Sequence, residues 1–214
     1  MSLARLPMRP EGVAGRIFGR MMEAMNEGAY QRALSLLDPA PDAAVVEIGF
    51  GTGRLLELLL ERMPDGRVAG VDPTATMLDV ARSRRALRDA GERVDLRPGE
   101  AALLPWQDAS FDAALALHSF QFWADPATAV REVLRVLRPG GRFVVVLREH
   151  PPGRAPAWLP NPISRGADEH AGARDCLREA GFLVHDAGPS SAANEIVATK
   201  PRPSSPRRDV RTEA

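Results

Sequence analysis

Residues 45–59 read VVEIGFGTGRLLELL: a β-branched apolar run, three glycines on alternate positions, then leucines at helical spacing. Valine and isoleucine restrict χ1 and suit a buried extended strand. The leucines from Leu55 onward read as the buried stripe of a helix. Gly49, Gly51 and Gly53 occupy the turn between strand and helix. Glycine there lets the backbone take positive φ and approach a ligand with no Cβ in the way. In an open α/β sheet the ligand sits at the carboxyl ends of the strands, where the first strand–helix turn meets it.

The rest of the chain repeats that unit. Strand-like runs stand at 44–48, 67–71, 93–97, 112–117, 142–147, 183–187 and 195–199. Several are short, unbroken and β-branched, as expected of strands buried on both faces. Helical stretches alternate with them: 53–62; 75–90, with Thr74 as N-cap and Gly91 as stop; and 168–180, closed by Gly181. Asp125-Pro126 opens the clearest helix, with Val130, Val133, Leu134 and Leu137 on one face and Pro139-Gly140-Gly141 as its end. The alternation predicts an α/β doubly wound sheet with helices on both faces. The segment joining the last two runs is too short for a parallel crossover, so those strands should be antiparallel.

With 214 residues, 44% hydrophobic, the chain can bury one α/β core. Three parts are expected: an N-terminal helical segment over 1–40, a main domain over 41–200 and a disordered tail over 201–214. In the first, Ala14, Ile17, Phe18, Met21, Met22 and Met25 share a helical face. That face either packs on the domain or acts as a lid over the ligand. Residues 151–166 are proline-rich and cannot hold a regular helix.

Lys+Arg and Asp+Glu both total 28, so no net field favours a polyanion, and a nucleic-acid partner is not expected. The single cysteine, Cys176, excludes an internal disulfide and fits a reducing cytoplasm. No apolar run approaches the roughly 20 residues that span a bilayer.

The glycine turn admits two ligands. A dinucleotide fingerprint would put a small residue at position 54, where Arg54 stands, which disfavours NAD. The spacing E-x-G-x-G-x-G from Glu47 to Gly53 instead resembles motif I of the class I S-adenosylmethionine (SAM)-dependent methyltransferases. Further motifs follow in order: VAGVDPTATMLDVAR (68–82), LRPGEAALLPWQDASFDAAL, and LHSFQFWADPATAVREVLRVLRPGGRF. The chain is similar, over about residues 40–200, to small bacterial members resembling the ubiquinone and menaquinone biosynthesis enzymes. The resemblance implies a Rossmann-like sheet of seven strands, mostly parallel with the last antiparallel, and SAM as cofactor. It implies Glu47, Gly49, Gly51 and Gly53 around the methionine moiety, and Asp72 on the ribose hydroxyls. Pro73 and Met77 would lie near adenine, with Glu100 on its amino group and Ala101 beside it.

SAM carries its own activation, so the protein mainly aligns a nucleophile and excludes water. Groups acting on the acceptor should follow strands four and five. His118 is the first candidate, as general base, acceptor-orienting group or backbone contact to the cofactor; Glu149 and His150 are the next. Their spacing requires no metal. Phe122 and Trp123 either pack in the core or line an apolar acceptor pocket. His170 and His185 read as surface or edge residues. The expected acceptor is a small molecule, apolar or aromatic.

Overall fold

The computed structural model describes residues 12–148, 167–185 and 192–203, with side chains described from residue 23 in the first segment and from residue 170 in the second. The expectations for Glu149, His150, Trp158 and the tail beyond residue 203 lie outside the described residues, as do the side chains of Ile17, Phe18, Met21 and Met22.

Seven strands form one sheet: β1 (Ala44–Ile48), β2 (Arg67–Asp72), β3 (Val94–Pro98), β4 (Phe111–Leu117), β5 (Leu137–Val146), β6 (Leu183–His185) and β7 (Glu195–Thr199). Their order is β3-β2-β1-β4-β5-β7-β6. The first five are mutually parallel, and β7 runs antiparallel to both β5 and β6. The two strands joined by the short C-terminal connection are thus antiparallel, as its length demands. The order reverses at β1, with β2 on one side and β4 on the other, which places the carboxyl end of β1 at a switch point.

Helices α5 (Pro126–Val136) and α6 (Ala167–Glu179) cover one face of the sheet. The opposite face packs against α1 (Gly12–Leu37), α2 (Arg54–Arg62), α3 (Ala75–Ser83) and α4 (Arg85–Asp89). β1 serves both layers: Val46 and Ile48 enter the core under α5, Val45 the core under α1 and α2.

Two boundaries differ from the sequence reading. The helix expected over 75–90 is two helices, because Arg84 is extended at φ −68°, ψ 129° and turns its side chain inward. The helix after Asp125 stops at Val136, before Pro139-Gly140-Gly141. Proline disfavours helical backbone in the residue before it, and Leu137 instead pairs with Phe111 across a bulge as the start of β5. Asp125 does cap that helix, its carboxylate accepting from the Thr128 N–H at 3.0 Å. The N-terminal helix extends to Leu37, and Tyr30, Ala33, Leu34 and Leu37 lie in the core. Burying a leucine is worth about 1.5–3 kcal/mol, so the second half of α1 is anchored to the domain. Met25, expected on the apolar face, is 69% exposed.

His170 is buried on α6, contrary to the surface position expected of it. The neighbouring Ala173 and Leu177 pull that face of the helix onto the sheet. His185 lies on edge strand β6 against the Thr199 hydroxyl at 2.9 Å.

Candidate active site

The turn after β1 has all three of its glycines at positive φ: 82° at Gly49, 52° at Gly51 and 79° at Gly53. They serve different ends. A Cβ on Gly53 would stand 2.9 Å from Cβ of Ala81 and 3.0 Å from Leu87, so this glycine lets α2 start close against α3 and α4. A Cβ on Gly51 would meet nothing within 4 Å. Gly51 therefore presents bare backbone to open space, a cradle that a side chain would fill.

Asp72, at the end of β2, holds this cradle in shape. One carboxylate oxygen accepts from the Gly51 N–H and the other from the Thr74 N–H, both at 2.9 Å. A carboxylate offers about four lone-pair positions; with the Thr74 hydroxyl also donating, one is left for a ligand hydroxyl. Burial raises the Asp72 pKa, opposed by the two N–H donors and by a hydrogen bond from the Thr74 side chain. Beyond it Pro73 is exposed and Met77 is buried at the start of α3. Glu100 is exposed after β3 with Ala101 buried beside it.

The loop carrying Glu100 and Ala101 is tied down from α5. Glu132 accepts from the Leu104 N–H at 2.9 Å, and Arg135 donates to the carbonyls of Leu104 and Trp106 at 3.0 and 2.7 Å. Arg135 also pairs with Glu132 and Asp108.

Glu47, one residue before the end of β1, is 3% exposed, and its Oε2 has no hydrogen-bond partner. Burial, and then the charge of Asp72, hold its carboxyl well above the usual carboxylate range. Above it lies Tyr30 of α1, whose phenol is pushed up to about 12 by burial and by the nearby Glu47, and which hydrogen-bonds the Asn26 side chain. Arg148, just past β5, donates to Asn26 Oδ1 at 3.0 Å and faces His118 Nδ1 at 3.4 Å. His118 is at φ 54° immediately after β4, its N–H bonded to the Val146 carbonyl at 2.8 Å. Burial, then the Arg148 charge, lowers its pKa to about 3. The ring is neutral near pH 7. Arginine only donates, so Nδ1 is the bare nitrogen and Nε2 carries the proton.

Helix α1 is also fastened to the cradle. Arg84 pairs with both Glu23 and Glu57 and donates to the Thr52 carbonyl at 2.6 Å. Glu23, Asn26, Tyr30, Arg84 and Arg148 were all missed in the sequence. They lie far apart along the chain and form no motif; the extended Arg84 inside a helical period gives no local signal. Trp123 packs on the Phe120 ring at 4.7 Å between centroids, in the core layer under α5.

A switch-point cradle over a strand-end carboxylate, in a sheet of this order, defines a Rossmann-like ligand-binding α/β protein. Residues 46–145 match the family described as a methyltransferase domain. The chain is 42% identical over 127 residues to an uncharacterized methyltransferase of Mycobacterium tuberculosis, covering 56% of this chain and 49% of that one. It is 39% identical over 123 residues to a demethylmenaquinone methyltransferase of Thermus thermophilus, covering 57% and 54%. It spans about half the length of these curated relatives. A solved SAM-dependent methyltransferase from Aquifex aeolicus superposes with a TM-score of 0.63 at 18% identity, covering 80% of this chain and 89% of that one, a likeness of fold. Among the described residues no helix is long and apolar enough to cross a membrane.

Proposed function

We propose that this chain transfers the methyl group of SAM to a small-molecule acceptor held between α1 and the carboxyl ends of β4 and β5. The cradle carries this reading: Gly51 is open where a Cβ would stand, above a carboxylate that shapes the loop and keeps a lone-pair position for the ribose. Bound SAM supplies a methyl carbon already made electrophilic by the positive sulfur. The chain's residues then bind, orient and exclude water. Glu47, Gly49, Gly51 and Gly53 surround the methionine end, Asp72 takes the ribose, and Pro73, Met77, Glu100 and Ala101 bracket adenine.

His118 acts here as a donor that orients the acceptor. An efficient general base has a pKa near the working pH, and this ring, at about 3, is far below it. Its Nε2–H instead offers a hydrogen bond to an acceptor oxygen or nitrogen. An acceptor needing deprotonation takes its base from Glu149 or His150, which follow β5 in sequence. The Thermus relative's name makes an apolar ring of the quinone type the first acceptor to try, and amines and catechols the next.

The test is transfer of label from methyl-labelled SAM to such a panel and to a small-molecule cell extract. A labelled low-mass product with equimolar S-adenosylhomocysteine (SAH) is expected. If SAM binds but its label never moves, the fold serves a SAM-dependent role other than methylation.

A further inference from the structure

Glu47 is not accounted for by binding alone. It is a carboxylate 3% exposed, with Oε2 unpartnered, two residues before the glycine turn. Burying such a group with no compensating contact is costly, and a carboxyl in that position ordinarily keeps its proton. Its strand neighbours in register, Gly70 on β2 and Leu115 on β4, supply no donor side chain. The titratable and charged groups around it are Asp72 from β2 and Tyr30 from α1; Tyr30 in turn feels Glu23, Arg84 and Arg148, and His118 lies beyond Arg148. The two groups coupled directly to Glu47 are a carboxylate and a phenol, so no cation of the chain is paired with it among those contacts.

The reaction proposed above changes the ligand's charge by one: the sulfonium of SAM is positive, the thioether of SAH neutral, and the rest of the two molecules is the same. We propose that Glu47 is a charge sensor that separates cofactor from spent product, protonated in the free and SAH-bound protein and ionised when the sulfonium lies above it. The proton balance is simple. On SAM binding the Glu47 carboxyl loses a proton to solvent; after transfer removes the positive charge, the carboxylate takes a proton back. Ionised Glu47 favours the cation, and re-protonation removes that preference from the product, so SAH is held less tightly and leaves. The sign follows: SAM affinity rises with pH across the range in which free Glu47 titrates, while SAH affinity stays flat, so their ratio widens with pH.

This inference rests on the SAM reading but is tested apart from it. Calorimetric titrations of the full chain with SAM and with SAH, each in buffers of different ionisation enthalpy, count the protons released. A larger release with SAM than with SAH, and a SAM-to-SAH affinity ratio that grows several-fold with pH, are expected. In Glu47→Gln, which keeps shape and removes the titration, the difference in release should vanish and the ratio should become flat in pH. Equal release with both ligands would overturn the proposal, because Glu47 would then answer the ammonium group that SAM and SAH share. No release with either would also overturn it. Failure of both ligands to bind at all would instead sink the methyltransferase reading. Should Glu47→Gln fold poorly, the wild-type comparison of SAM with SAH still decides.

Discussion

The two walls of the proposed site are built in opposite ways. The proposed cofactor wall is local: one strand, one turn and the next strand's last residue bring Gly51 and Asp72 together through a 2.9 Å hydrogen bond within a single strand–helix–strand unit. The proposed acceptor wall is assembled from a distance, with Asn26 and Tyr30 on α1 meeting Arg148 after β5 and His118 after β4. The first wall is backbone shaped by glycine, whose requirements are steric and tolerate little change. The second is a set of side-chain contacts, each of which can be altered without disturbing the sheet. Binding of the common cofactor should therefore be brittle to substitution, and handling of the acceptor tunable.

Gly51→Val should give the largest effect. Its side chain would enter open space, so the protein folds, but left-handed backbone costs a non-glycine residue roughly 1–2 kcal/mol and the valine occupies the cradle. We expect SAM affinity to fall roughly 100-fold or more, about 2.7 kcal/mol, by calorimetry, with the melting temperature lowered only by the few degrees that the backbone strain costs. Gly53→Ala, two residues on, should do the reverse. Its methyl meets Ala81 and Leu87, and strain with overpacking should remove roughly 2–4 kcal/mol of stability in denaturant melts. If both variants lose binding and stability in the same proportion, the division of labour between the glycines is wrong.

Asp72→Ala removes the acceptor of the Gly51 and Thr74 N–H groups as well as a charged partner for ribose. Hydrogen bonds to charged groups are worth about 1.5–3 kcal/mol, which corresponds to a SAM affinity roughly 10–100-fold weaker. An unchanged dissociation constant in the folded variant would remove Asp72 from the site.

On the acceptor wall, His118→Gln should have the smallest effect: a modest rise in acceptor KM and no change in the pH–rate profile between pH 6 and 8, where the ring is already neutral. A lost ionisation in that range would restore His118 as the base. Stability carries a separate sign. The native pKa, about 3, lies below the unfolded value of about 6.5, so the unfolded chain binds more protons between these limits. Acidification through that window destabilises the wild type, and His118→Gln should lose that part of its acid sensitivity in pH-dependent melts.

The same division explains what could be read in advance. β1 and β7 have the bounds their β-branched runs suggest, and the antiparallel C-terminal pair followed from the length of its connection. Gly49, Gly51, Gly53 and Asp72 form a motif because one short stretch of chain must satisfy a steric demand. Tyr30, Asn26, Arg84 and Arg148 form none, since a side chain reaching across the sheet constrains nothing beside it in sequence. Arg84 shows the limit: helical periodicity runs through it, yet its contacts with Glu57, Glu23 and the Thr52 carbonyl accompany a break there. Trp123 shows another, as an aromatic after β4 could serve either layer, and it packs on Phe120.

The claim on which all else rests is that the open backbone at Gly51 with Asp72 beneath it is a SAM cradle. Its most direct test is parallel calorimetric titration of the wild-type chain with SAM, SAH and NADH. Saturable binding of SAM and SAH at one site, with no heat from NADH, is the predicted result; binding of NADH in place of SAM would contradict it.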